Sequence, residues 1–116
     1  MVLSVLPVDS SPNQTFDVSL PIDGRNRKFQ FFFSWNPIGQ YWQFDLFDLN
    51  NGGVQLLNNM PIGPIDYPYN NTLLRYSYKE IGSLYVVNLS DVVHDRPHLD
   101  NLGTDWALIW GDTPYV

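Results

Sequence analysis

Residues 28–48 read KFQFFFSWNPIGQYWQFDLFD, and the alternation inside them decides the fold. Phe29, Phe31, Phe33 and Trp35 alternate with Gln30, Phe32 and Ser34; after a short break, Trp42, Phe44 and Leu46 alternate with Gln43, Asp45 and Phe47. Successive side chains leave a strand on opposite faces, so a period of two that is rich in aromatics predicts two half-buried strands. Between them lies Asn36-Pro37-Ile38-Gly39-Gln40. Proline presets φ, Gly39 tolerates a positive φ and Asn36 can bond its own backbone, which together predict a hairpin connection. Each large aromatic side chain buries roughly 150–250 Å², worth about 25 cal/mol per Å². This hairpin therefore supplies most of the core that a chain of 116 residues can gather.

Outward from the hairpin the pattern continues. Residues 14–20 place Phe16, Val18 and Leu20 on one face, and Asp23-Gly24 within residues 21–26 is a turn signal leading into the aromatic strands. Residues 49–53 form a second tight turn, and 54–60 return as a further strand of a meander. Ahead of all this, residues 2–6 read as a short strand closed by Pro7, and residues 9–13 as a loop. That apolar arm, residues 1–7, suits either pairing within its own fold or addition to a neighbour's sheet edge. Prolines 61, 64 and 68 exclude an interior strand from residues 61–71, which read as an extended loop. Residues 72–78 fit a strand or one helical turn equally well, 84–89 a strand, 90–103 an irregular polar stretch, and 105–110 a closing strand. Alanine occurs once, against nine prolines, eight glycines and eighteen aromatics, which favours strands and turns over helices. The expectation is an all-β chain, one domain over residues 1–116, arranged as a small antiparallel β-sandwich or a partly open β-barrel.

Charge and cysteine usage remove several classes of function. Twelve acidic against six basic residues give a formal charge of −6, the wrong sign for a protein that gains affinity by neutralising phosphates. With no cysteine there is no disulfide, thiolate metal site or cysteine nucleophile, which suits an intracellular folding compartment. The opening MVLSVLPVDSSP lacks a basic n-region and its apolar run stops at Pro7, so no export signal is expected. No apolar run approaches the roughly 18 residues a spanning helix needs.

Asp48-Leu-Asn50-Asn-Gly52-Gly53 starts like a calcium loop, but position 5 is Gly52, position 12 is Asn59 and no helices flank it, so a hairpin turn is the better reading. His94 and His98, with Asp91, Asp95 and Asp100 nearby, are four apart, yet Pro97 argues against the helix that would bring them onto one metal. No Ser, Thr or Gly motif frames a nucleophile for either histidine. Glu80 is the sole glutamate, and Asp45 and Asp48, three apart on a strand, point to opposite faces rather than forming a glycosidase pair. Arg25, Arg27 and Lys28 put half of the basic residues beside one turn, a solvated turn or a contact for an acidic partner. The glycosylation-type triplets at Asn13, Asn70 and Asn88 are chance matches in an asparagine-rich chain. The reading is of a protein without catalytic, metal or cofactor site.

Ser34-Trp35-Asn36, a short turn, Trp42-Gln43-Phe44-Asp45-Leu46-Phe47-Asp48 and the Gly52-Gly53 turn resemble the aromatic hairpin of small phage baseplate plug proteins of contractile tails. The resemblance extends to Gln14-Thr15-Phe16-Asp17-Val18 and resumes with Arg96-Pro97, Asp100-Asn101-Leu102-Gly103 and Trp106-Ala107-Leu108-Ile109-Trp110. It implies a structural virion protein of the tail baseplate, assembled in the host cytoplasm and carrying no enzymatic activity. It implies packing against the hub and the tail-tube end, occlusion of the lumen before DNA ejection, and copies that follow a trimeric or hexameric assembly, with no membrane partner. Phe32, Phe47, Trp110 and Tyr115 lie out of phase with the core faces or near the end, and are expected among the partner contacts. The rival reading is a carbohydrate-binding sandwich of a phage tail, stacking sugars on Trp35, Trp42, Trp106 or on Tyr67, Tyr69, Tyr76 and Tyr78. A small hydrolase using His94 or His98 is a third.

Overall fold

A computed structural model describes residues 3–62, 71–90 and 97–113. The expected hairpin is present as β3 (Arg25–Asn36) and β4 (Tyr41–Asp48), paired in register from Phe29↔Asp48 to Asn36↔Tyr41. β2 (Asn13–Ile22) lies on the far side of β3 and β5 (Val54–Ile62) on the far side of β4, so the meander has four strands in the order β2-β3-β4-β5. The second sheet is β1-β7-β6, made from β1 (Ser4–Val5), β7 (Trp106–Gly111) and β6 (Ser83–Asn88). Both sheets are antiparallel and they remain separate, giving a sandwich-like arrangement in place of a closed barrel.

Local chemistry sets each connection. Asp23 and Gly24 both have positive φ (55° and 80°), as a two-residue hairpin turn requires, and they join β2 to β3 directly after the Ile22↔Arg25 pair. At the β3–β4 tip the Asn36 carboxamide oxygen accepts from the backbone N–H of Ile38 and Gly39, and the Asn36 carbonyl accepts from Gln40 at 2.8 Å. A methyl group on Gly39 would run into the Tyr41 ring, so this glycine is fixed by a close approach. Asp48 caps a 3₁₀ turn (Leu49–Asn51) by accepting from Asn50 N–H, and Gly52 and Gly53 close the turn with φ of 71° and 77°. In β5, Asn58 and Asn59 together oppose Asp45 of β4: the bulge puts Asn59 at φ 50° and lets its N–H donate to the Asp45 carboxylate at 2.7 Å. The ambiguous 72–78 stretch becomes a 3₁₀ turn (Leu74–Lys79). Of the proline-rich segment, Pro61 and Ile62 complete β5, and residues 63–70 lie outside the described residues.

The core forms where the inner faces of the two sheets meet. Phe29, Phe31 and Phe33 from β3, Trp42, Phe44 and Leu46 from β4, and Leu84, Val86, Trp106, Leu108 and Trp110 from β6 and β7 are all buried. Phe16 stacks on Phe31 (5.3 Å) and Phe33 (5.8 Å), Phe33 on Phe44 (5.2 Å), and Trp110 stands edge-on to Phe31 (5.4 Å) and Phe29 (6.2 Å). Such pairs add about 0.5–1.5 kcal/mol each beyond simple burial. The expectation that Trp110 lies out of phase with the core is thereby corrected. It is 1% exposed, and its indole N–H donates to the Ile81 carbonyl at 2.9 Å. In a strand that is apolar on both faces the two phases look alike in sequence, and here the larger side chains (Trp106, Leu108, Trp110) take the inner one.

Two stability predictions follow from this packing. Trp110→Ala removes the side chain that bridges the sheets, and urea denaturation should show a loss of about 3–5 kcal/mol. Gly82 has φ +102°, and an added methyl would meet the Trp110 indole and the Gly111 carbonyl. Gly82→Ala should cost about 2 kcal/mol or more from strain and overpacking together, whereas Gly24→Ala, with open space around it, should cost less in the same assay.

Candidate functional site

The polar residues singled out in the sequence mostly hold turns. Arg27 donates to the Asp48 carboxylate at 3.1 Å and to the Glu80 carbonyl at 3.2 Å, with its guanidinium 5.1 Å from the Phe29 ring centroid. That makes Arg27 a structural tie between β3, the β4 end and the segment before β6; Arg25 and Lys28 remain exposed. Asp48 faces inward and Asp45 outward, each bonded to a turn or bulge amide, so they form no acid–base pair. Asp23 accepts from Thr113 through both its backbone N–H (2.9 Å) and its hydroxyl (2.8 Å), while Asp23 N–H donates to Asp112. The Asp9 carboxyl is held below the usual carboxylate range by Ser11, whose backbone N–H donates to it.

His98 places its backbone in the core boundary: its carbonyl accepts from the Trp42 indole at 2.9 Å, and its N–H donates to Asn101. His94, Asp91 and Asp95 lie outside the described residues, and among the described ones no group of three or more His, Cys, Asp or Glu could hold a metal. Asn88 accepts from both the N–H and the hydroxyl of Ser90, which explains that triplet as a local turn.

With the polar clusters spent on the fold, the remaining candidates are surfaces. The outer face of the four-stranded sheet carries Thr15, Asp17, Gln30, Ser34, Gln43, Asp45 and Gln55, and among them Phe32 and Phe47, both half-buried. Phe32 pairs across with Thr15 and Asp45, and Phe47 with Gln30 and Gln55, so the two rings occupy diagonal positions in the middle of a polar field. The structure thus puts Phe32 and Phe47 together and removes Trp110 to the interior. Tyr115 lies outside the described residues. At the β3–β4 tip, Ile38 is 96% exposed on a loop pinned by Asn36, a feature that only the turn chemistry of Asn-Pro-Ile-Gly hinted at.

A second outer face went unnoticed in the sequence. On the three-stranded sheet, Val5, Ile109 and Tyr85 form one cross-strand row, with Ala107 and Val87 beside it and Leu3 at the edge. The strands β1, β6 and β7 contain no charged residue. The signal was there: LYVV and WALIW are continuous apolar runs, the pattern of strands covered on both faces.

The sugar-stacking alternative fares poorly on this geometry. Trp42 and Trp106 are buried, and Trp35 meets Trp42 at 66° instead of lying coplanar with it. Tyr78 is exposed and Tyr76 half-buried, while Tyr67 and Tyr69 lie outside the described residues.

Comparison with known proteins agrees with the surface-and-scaffold character of the chain. No curated protein matches it. A family model described as the cyanophage baseplate Pam3 plug gp18 matches residues 3–113, which includes both sheets and all of the elements described above. A match of that extent makes this chain a member of the cyanophage baseplate plug family, with the structural role in the tail baseplate that the family carries.

Proposed function

We propose that the chain is the plug subunit at the centre of a contractile-tail baseplate, packing against the hub and the end of the tail tube and occluding the lumen until DNA is ejected. The observation that carries this reading is the family match over residues 3–113. The surface supports it. Phe32 and Phe47, half-buried and ringed by polar side chains, have the anatomy of an interface centre, where aromatic anchors sit inside a polar rim. Ile38, held out on a braced loop, is a ready knob for a neighbouring pocket. The formal charge of −6 suits a subunit beside the DNA path, since an acidic surface does not bind the passing phosphates. Its copies follow the symmetry of the trimeric hub or the six-fold tube.

The chain acts here as a fitted part and performs no reaction. Cryo-electron microscopy of purified tails should place it between hub and tube end; density for it elsewhere in the particle sinks the proposal. Co-purification of co-expressed plug and hub gives the residue-level test. Phe32→Ser combined with Phe47→Ser should lower the unfolding midpoint by several degrees, because both rings are half-buried, while the chain still folds, and should weaken hub association by about 30-fold if the pair supplies about 2 kcal/mol of anchoring. Undiminished co-purification would remove both residues from the interface. Ile38→Asp, at a side chain 96% exposed, should cost under about 0.5 kcal/mol of stability and reduce association in the same experiment.

A further inference from the structure

Among the described residues, one sheet edge is guarded by its shortness alone. β2 ends the four-stranded sheet with Asp17 on its outer face and Pro21 near its end, while β5 is broken by bulges and carries Pro61. β6 is engaged by the segment before it: Leu84 N–H donates to the Asn71 side chain, and the Leu84 carbonyl accepts from Thr72 N–H, both at 2.9 Å. β1 carries no charge, proline or bulge and is guarded by its two-residue length alone.

The register shows which of its backbone groups are unused. Leu6 N–H donates to the Leu108 carbonyl at 2.9 Å, continuing the Ser4↔Trp110 and Val5↔Ile109 pairs. In an antiparallel ladder, residues that exchange bonds with the partner alternate with residues whose N–H and C=O turn away. Leu6 and Ser4 therefore bond inward to β7, and Leu3 and Val5 turn their backbone groups out to the open edge. No hydrogen bond reaches those groups among the described residues. The side chains of Leu3 and Val5 are also bare, at 58% and 69% exposure.

We propose that the β1 edge accepts an extended, uncharged strand of a neighbouring baseplate subunit, which joins the three-stranded sheet as its fourth strand. Two observations select this occupant. First, β1, β6 and β7 carry no charge, so a charged segment laid beside Leu3, Val5 and Ile109 would lose its hydration with no counter-ion to meet it. Second, the apolar face is small. Three strands spaced about 4.8 Å apart, with about two outward residues per strand, give on the order of 200 Å², against about 800 Å² per partner in a stable interface. A second copy docked flat on this face falls far short. An added strand draws instead on the outward N–H and C=O groups, and uses the apolar face for specificity. The identity of the neighbour rests on the plug reading above; the open edge does not.

Val5→Pro tests the edge selectively. It deletes the outward N–H while leaving the inward bonds of Ser4 and Leu6, and Val5→Ala trims the side chain but keeps the donor. The isolated Val5→Pro chain should unfold within a few degrees of wild type, yet be left out of assembled tails in which wild type and Val5→Ala are present. In parallel, hydrogen exchange of the wild-type Val5 amide should be fast in the free subunit and slow at least about 100-fold in purified tails. Incorporation of Val5→Pro at the wild-type level, or equally fast Val5 exchange in tails, overturns the proposal. So does a concentration-dependent dimer of the isolated chain that Val5→Pro abolishes, which would assign the edge to a second copy. Tails that lack the wild-type chain altogether would overturn the plug reading itself, and with it the proposed neighbour.

Discussion

The edge-on contact of the Trp110 indole with Phe29 and Phe31 is the constraint that makes two sheets into one body. The four-stranded sheet presents Phe29, Phe31, Phe33, Trp42, Phe44 and Leu46 on one side, a surface that water cannot tolerate uncovered. The covering sheet is only three strands wide, and its β1 is two residues long. A cover that small succeeds because its inner residues are large: Trp110 reaches Phe29 and Phe31 across the gap, and Trp106 is buried in the same core. The geometry around Trp110 is correspondingly exact. Its indole N–H is satisfied by Ile81, and Gly82 gives up its side chain so that the ring can lie against the backbone.

Once the aromatic layer is set, the ends of the sandwich are held by short polar side chains bonded to their own backbone. Asp9, Asn36, Asp48, Asn71, Asn88 and Asn101 each accept from a main-chain N–H within three residues. This is the turn chemistry in which Asn and Asp replace a backbone acceptor. It gives four of the eleven asparagines, Asn36, Asn71, Asn88 and Asn101, a place in the fold. It also explains how a chain free of cysteine keeps its loops in place. The part-buried Arg27–Asp48 pair belongs to the same system, since Asp48 both caps the 3₁₀ turn and receives Arg27. Residues that resemble a calcium loop or an acid pair in sequence are, in three dimensions, the fastenings of turns.

The legible parts of the sequence are those where pattern and turn chemistry agree. Residues 28–48 and 14–20 alternate apolar with polar or exposed positions, so their inner face was unambiguous, and Asp23-Gly24 and Gly52-Gly53 marked the turns that join them. The closing strand was different. In WALIW both phases are apolar, and alternation alone cannot say which faces the core, so Trp110 was expected outside and is inside. Residues 72–78 were undecided for a related reason: a single 3₁₀ turn started by the Asn71 side chain has too few residues to show a period. The bulge at Asn58 and Asn59 left no signal beyond asparagine's tolerance of positive φ. Phe32 and Phe47 stand out in the sequence because each breaks an otherwise polar phase, whereas Ile38 does not, because an isolated apolar residue in a turn carries no pattern at all.

The two outer faces differ in kind, and the difference bears on how a plug would be held. The four-stranded sheet shows water a polar field with two half-buried rings, a surface stable in solution and suited to an interface that forms and is wetted at its rim. The three-stranded sheet shows an uncharged face beside an edge with unused backbone groups, a surface suited to being covered for as long as the particle lasts. On the reading proposed here, the chain is anchored through the three-stranded sheet and fitted through the four-stranded one. The aromatic layer between them is then more than a core. Trp110 ties β7 to β3 by its edge-on contacts with Phe29 and Phe31, and close-packed interiors transmit strain. On the plug reading, a part blocking a channel would need such coupling between its two faces, and it would come from the same residues that make the fold legible.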